Sequence, residues 1–239
     1  MQVLERSRFQ KVDVRADATG LTSRAGSALL AGFCQRIGLT DGLCAALSGT
    51  RERVSVHAPG RVLAGLAVMV ADGGRCVSDL AVLGGQGALF GAVASVSTAR
   101  RVMLSVGPSE LDAIRQARAL ARERAWRAGA PPAQVVLDFD AFAIGAHSEK
   151  EGAAGHYKGG FGHHPLLVSC GREVLAALLR PGNAGANDAA DHVQLLELAL
   201  EQLPKDALDG PILARSDAAG ASHTFAGACR ETRIRFSLG

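Results

Sequence analysis

A chain of 239 residues that is 48% hydrophobic has the length for one large domain or two small ones, and enough apolar side chain to bury a core. Aromatics make up only 4% while glycine reaches 29 residues, so that core is expected to be built mainly from Leu, Val and Ala. A formal charge of +3 suits a nucleic-acid partner without arguing for one unaided. The five cysteines, Cys34, Cys44, Cys76, Cys170 and Cys229, are scattered, with no pairing that reads as a zinc site or a disulfide framework, which points to a reducing cytoplasm. Glu5, Arg6, Arg8 and Lys11 interrupt the N-terminus and exclude a secretory signal there. The most apolar stretch, Val62 to Ala71, is half the length of a membrane span and reads as a core helix, so no membrane partner is expected.

In chain order, the residues to about 130 read as a helical, DNA-binding region. Ser27 to Ile37, Arg61 to Ala71 and Ser109 to Arg127 carry apolar residues at three- and four-residue spacing, separated by breaks at Gly38-Leu39-Thr40 and Gly73-Gly74. In the last of these, Ser109 is the expected N-cap with Asp112 at the box position, and Leu111, Ile114, Ala121 and Ala125 form the inner face. Arg115, Arg118 and Arg122 make a basic stripe, to be read as a phosphate-contacting face or as a solvated one. Ser95 to Thr98 offers hydroxyl caps ahead of Arg100 and Arg101, a composition suited to a first helical turn that meets phosphates and to a helix-turn-helix.

The pattern changes after Ala128-Gly129-Ala130-Pro131-Pro132, an expected linker. Gln134 to Asp140, Pro165 to Cys170 and Glu173 to Leu179 read as strands, the last two joined by a tight turn at Gly171-Arg172. An amphipathic helix follows over Asp191 to Leu203, with Val193, Leu196, Leu200 and Leu203 inward. Then come a strand over Pro211 to Arg215, a short helix from His223 to Cys229, and a strand over Arg233 to Leu238. Three strands, helix, strand, helix, strand is the chain order of an RNase H-like fold; a doubly wound parallel sheet would place a helix after every strand. The fold class expected is therefore α/β, with an N-terminal all-helical region over 1–130 and an incomplete RNase H-like mixed sheet over 131–239.

The carboxylates carry the chemistry of this reading. Asp138 and Asp140 lie two apart on the first strand and project to one face, while Val135, Leu137 and Phe139 take the other. Asp217 closes the fourth strand, which in this fold is the parallel neighbour of the first. Two carboxylates brought together repel unless a cation lies between them, and hard oxygen donors select Mg²⁺ or Mn²⁺. The competing reading of Asp217, followed by Ala218-Ala219-Gly220, is a turn former or helix cap. Five histidines, His147, His156, His163, His164 and His223, lack the spacing of a zinc site.

Ala146-His147-Ser148-Glu149-Lys150-Glu151-Gly152-Ala153, Tyr157, Gly162-His163-His164-Pro165-Leu166-Leu167, Leu179-Arg180-Pro181-Gly182-Asn183 and Arg215-Ser216-Asp217 together resemble bacterial insertion-sequence transposases with a DDE catalytic domain. The resemblance covers Val135 to Gly239, with a weaker match around Phe90 to Ser95 and the arginines beyond. It implies that Asp140 is the first catalytic aspartate and Asp217 the second, with Asp138 a nearby third candidate ligand. The family's catalytic Glu has no counterpart before Gly239, so a C-terminally truncated chain, inactive alone, is expected. Phe142 stands where the family more often has Thr. The resemblance further implies double-stranded DNA partners (terminal inverted repeats and target DNA), a homodimer in the DNA complex, a nucleoid-associated location in a bacterial cytoplasm, and metal-dependent hydrolysis and strand transfer at element ends. His147, Glu151, Tyr157, Lys158, His164, Arg180, Asn183 and Arg215 become candidates for DNA contact or for support of the metal site. Two other readings stay open: a haloacid dehalogenase-like phosphatase using the Asp138-Phe139-Asp140 pair, and a non-catalytic DNA-binding remnant.

Overall fold

The computed structural model describes residues 23–50, 56–129, 131–147, 149–185 and 187–239. The charged N-terminal segment, Ala130 of the expected linker and Ser148 of the motif lie outside them. Contacts divide the chain into two compact units, Met1–Ala125 and Trp126–Gly239.

The described part of the first unit is helical: α1 (Ala25–Arg36), α2 (Leu39–Ala46), α3 (Pro59–Ala71), α4 (Leu80–Gly84), α5 (Gly87–Phe90), α6 (Val96–Leu104) and α7 (Pro108–Arg127), which crosses the unit boundary. The break expected at Gly38 is a single residue in the left-handed region (φ 73°), and α2 begins at once after it. Pro59 opens α3, where its missing N–H costs nothing and its fixed φ suits the first turn. Leu47, Val62, Val68, Met69, Leu80, Leu83, Ala99 and Val102 form the core. A Cβ on Gly60 would lie 2.1 Å from the backbone nitrogen of Cys44, so α2 and α3 cross where only glycine fits. At the far end of α3, Asp72 accepts a 2.6 Å hydrogen bond from the Ser27 hydroxyl and pairs with Arg24, tying α1 to it.

The structure corrects the reading of α7. The helix starts at Pro108, and Glu110, not Ser109 or Asp112, makes the capping contact by accepting the Gly107 N–H at 2.9 Å. That bond holds the Glu110 carboxyl below its ordinary pKa. Asp112 pairs with Arg115 one turn on. The buried residues are Ala117, Ala121 and Arg122, and Ile114 packs partly buried against the core as expected, whereas Leu111 is 44% exposed. Arg122 is buried and Arg115 and Arg118 half-buried, so the expected stripe is not an open basic face.

The second unit is a five-stranded sheet of order β6-β5-β1-β7-β8 with a small three-stranded sheet of order β2-β4-β3. Its strands are β1 (Val135–Ala141), β2 (Ile144–Gly145), β3 (Ala154–Gly155), β4 (Phe161–His163), β5 (Leu166–Cys170), β6 (Glu173–Leu178), β7 (Ile212–Ser216) and β8 (Arg235–Leu238); its helices are α8 (Ala189–Leu200), α9 (Lys205–Leu208) and α10 (His223–Glu231). β1, β5 and β6 form an antiparallel meander, and β7 and β8 join β1 in parallel. This is the RNase H-like arrangement expected from the element order. Val135, Leu137 and Phe139 of β1 meet Leu195, Leu196 and Ala199 of α8 and Phe225 and Cys229 of α10 in one core.

Two details differ from the pattern reading. In α8 the helix stops at Leu200, and its inward positions are His192, Leu195, Leu196 and Ala199; Val193 and Leu200 are only partly covered. The residues between β1 and β5, where no strand was expected, hold the small sheet. Its strands are two or three residues long, too short for alternation to register, and they are placed by close backbone approach. A Cβ on Gly162 would lie 1.9 Å from the Ile144 carbonyl oxygen, and one on Gly182 would lie 2.2 Å from that of Ala154.

Cys229, fully buried under the sheet, has its thiol pushed up to about 11 by burial, against a smaller lowering by Arg230. The folded state therefore holds this proton more tightly than the unfolded chain, whose thiol keeps the ordinary value of 9.0. The contribution is intact below pH 9.0 and is lost as pH rises towards 11. Urea denaturation of the wild type should show stability falling by up to about 1.4 kcal/mol per pH unit across that window, with a shallower fall in Cys229→Ala.

Candidate active site

Parallel pairing of β1 with β7 sets Asp138 opposite Arg215 and Phe139 opposite Ser216. Two residues beyond the first of these pairs, and on the same face, come Asp140 at the end of β1 and Asp217 just past β7. Both carboxylates line one cleft of about 150 Å³, together with Phe139, Tyr157, His164, His192 and Ser216.

The two aspartates have different surroundings. Asp217 caps the 3-10 turn Ala218–Gly220: one of its oxygens accepts the Ala219 N–H at 3.0 Å. The cap role and a place in the cleft therefore coexist, with Oδ2 uncommitted among the described residues. The side chain of Asp140 has no hydrogen bond or ion pair among the described residues. Asp138 is engaged differently, because Arg215 donates through Nε to Oδ1 at 2.5 Å and through Nη2 to Oδ2 at 3.0 Å. A bidentate clamp of this kind occupies both oxygens. Asp138 is thereby placed as the partner of Arg215 and does not line the cleft, and it is not free to act as the nucleophile of a phosphatase. The antiparallel strands that follow β1 also depart from the helix which that chemistry requires.

His164 and His192 form the cleft's back wall; only the first was singled out from sequence. Each is nearly fully buried, and each donates its Nδ1–H to a backbone carbonyl: His164 to Ala184 at 3.0 Å, His192 to Asp188 at 2.7 Å. A carbonyl can only accept, so Nδ1 carries the proton in both rings and Nε2 is the acceptor of the neutral form. His192 also stacks with Phe139 at a centroid distance of 6.2 Å. Its signal in sequence was position alone, on the inner side of α8 four residues after the cap Asp188.

Arg180, expected as a DNA contact or as support for the site, is bonded to His164 and to the first turn of α8. It is 4% exposed and donates from Nε to the His164 carbonyl, and from Nη1 to the Gly185 carbonyl and to Asp191, each at 3.0 Å. One guanidinium thus fixes His164, the Pro181–Gly185 loop and the first turn of α8. Its Nη2 is buried with no hydrogen-bond partner among the described residues. Asn183 and His147 are exposed, and Glu151 contributes its backbone carbonyl, which accepts from His163 Nε2 at 3.1 Å. Tyr157 and Lys158 stand at the tip between β3 and β4. Phe142 is 41% exposed beside the end of β1. Arg100 and Arg101 are exposed on α6, whose N-cap Ser95 accepts the Thr98 N–H at 3.3 Å, while Ala99 and Val102 face inward. Among the described residues, no group of three or more His, Cys, Asp and Glu is placed to hold a metal ion, and no helix is long and apolar enough to cross a membrane.

A family model described as transposase DDE domain group 1 matches residues 4–239, and the chain belongs to that family. No curated protein matches the chain. Solved structures that are similar at a low level include two Mos1 complexes. One is the Mos1 transposase paired-end complex with left transposon end, at 11% identity and a TM-score of 0.31, covering 78% of this chain and 60% of that one. The other is the Mos1 mariner paired end complex with Mn, at 8% identity and a TM-score of 0.31, covering 90% of this chain and 78% of that one. The chain thus spans 60% of the first of these proteins.

Gly220 closes the turn that carries Asp217, and a Cβ there would lie 2.1 Å from Ser216 Oγ and 2.6 Å from Ser216 Cβ. Gly220→Ala should destabilise the second unit by about 1–3 kcal/mol in urea denaturation. Adding Ser216→Gly, which removes both opposing atoms, should recover most of the loss.

Proposed function

We propose that this chain processes DNA strands as a transposase, with Asp140 and Asp217 holding Mg²⁺ or Mn²⁺ against a phosphodiester at an element end. The observation that carries this is the register of β1 against β7, which leads both carboxylates into one cleft. The donors fit a hard divalent cation: they are carboxylate oxygens, those of Asp140 and Oδ2 of Asp217 uncommitted among the described residues. When bound, such an ion supplies the charge that eases in-line displacement at phosphorus.

The chain's own residues supply position. The Asp138–Arg215 clamp locks the register one pair below the aspartates. The backbone bond to Ala219 fixes the Asp217 carboxylate. His164 and His192, anchored through Nδ1, line the cleft with their buried rings. The substrates are double-stranded terminal repeats and target DNA, met by a homodimer in the bacterial nucleoid.

The test is divalent-dependent nicking of plasmid DNA by the full chain. Asp140 and Asp217 suffice to hold one ion, so, against the inactivity expected from the sequence, wild type should nick with Mg²⁺ or Mn²⁺ and not with chelator, and Asp140→Asn or Asp217→Asn should each lower the rate at least about 100-fold, the scale of losing about 3 kcal/mol of transition-state stabilisation. Metal-independent nicking, or full activity in either variant, overturns the assignment. Binding of DNA with no nicking in wild type supports the alternative of a DNA-binding remnant.

The first unit is assigned the DNA-binding role through α6. Ser95 caps its first turn and Arg100 and Arg101 stand exposed on it. Removing both arginines should weaken binding across sequences and reduce the slope of log K against log salt by about 2, one for each lost phosphate contact. An unchanged slope would place the contact surface elsewhere.

A further inference from the structure

We propose that Tyr157 is a stacking platform for an unpaired nucleobase beside the phosphodiester in the cleft, an inference that rests on the strand-processing reading above. Tyr157 is the chain's single tyrosine, and the residue is 71% exposed although it lines the cleft of the two aspartates. An exposed aromatic side chain at a cleft mouth leaves apolar area in water, an unfavourable placement until a ligand covers it.

The ring is held in place. The hairpin tip is closed by His156 N–H to the Gly160 carbonyl and Gly159 N–H to the His156 carbonyl, each at 2.9 Å. The Lys158 N–H is donated to His156 Nδ1 at 3.2 Å, and Gly159 takes the left-handed conformation the turn needs (φ 76°). A Cβ on Gly160 would lie 2.4 Å from His156 Nε2, so the imidazole packs directly on the tip's backbone. From within, the Tyr157 ring leans on the buried His164, centroids 5.5 Å apart, and Lys158 Nζ lies 5.5 Å from the Tyr157 centroid.

Size decides what reaches the ring. A cavity of about 150 Å³ takes one group the size of benzene. One phosphodiester fits such a space and a base pair does not, so the bases flanking a bound phosphate stay at the rim where Tyr157 stands. A π-face with a cation next to it suits a base with its phosphate, and the stack tolerates any base because each has a π-face.

Binding without metal, by the full chain at fixed salt, tests this with two probes: a single-stranded oligothymidylate of about 12 nucleotides and a duplex of the same length. Tyr157→Phe keeps the ring and should bind both as wild type does. Tyr157→Ala should lose about 5- to 150-fold on the single strand and less than about threefold on the duplex, and the single strand should quench tyrosine fluorescence in the wild type. Equal losses on both probes, no loss on the single strand, or no quenching in the unaltered protein overturns the proposal. Because no metal is present, these outcomes are separate from the nicking assay: failed nicking with intact quenching counts against the catalytic reading alone, and intact nicking without quenching counts against the platform alone.

Discussion

Parallel hydrogen bonding between β1 and β7 places everything else in the second unit's cleft. With Asp138 opposite Arg215, the next pair outward on the same face is Asp140 and Asp217. The first pair attracts and the second repels. Arg215 can therefore be read as the stabilising neighbour that lets the sheet carry two unneutralised carboxylates at its end. A slip of one residue would send every core side chain of β1 to the wrong face, so the same hydrophobic pattern that buries Leu137 and Phe139 also aims the acids.

The cleft's rear wall depends on backbone carbonyls. His164 and His192 come from different elements, yet each gives its Nδ1 proton to the main chain, at Ala184 and Asp188. Arg180 links the two, bonding the His164 carbonyl on one side and Asp191 of the first α8 turn on the other. The ring orientations thus follow from where the Ala184 and Asp188 carbonyls stand.

Much of the second unit was legible because its strands are long enough to alternate and its helices carry caps. The acid-ended runs at Asp140 and Asp217 gave the strand ends, and the order of elements gave the topology. The capping of α7 was misread because Ser109 is the commoner cap residue, whereas Pro108 fixed the start one position earlier and brought Glu110 within reach of the Gly107 N–H. The small sheet was invisible because backbone proximity at Gly162 and Gly182 places it, not a run of apolar residues. His192 was missed since a histidine inside an amphipathic helix looks like any buried position until the neighbouring elements are in place. Asp138 looked like a ligand because spacing shows which face a side chain takes but not what waits on the adjoining strand.

Gly182 sits against the carbonyl oxygens of both Ala154 and Gly162, with His163 bridging to Pro181 beside it. No side chain intervenes at this seam, so there is no rotamer there to yield. The hairpin bearing Tyr157 is joined through bare peptide groups to the loop that leads into α8. Any tilt of that hairpin must drag the loop with it, and the cleft's rim and its rear wall are mechanically one piece.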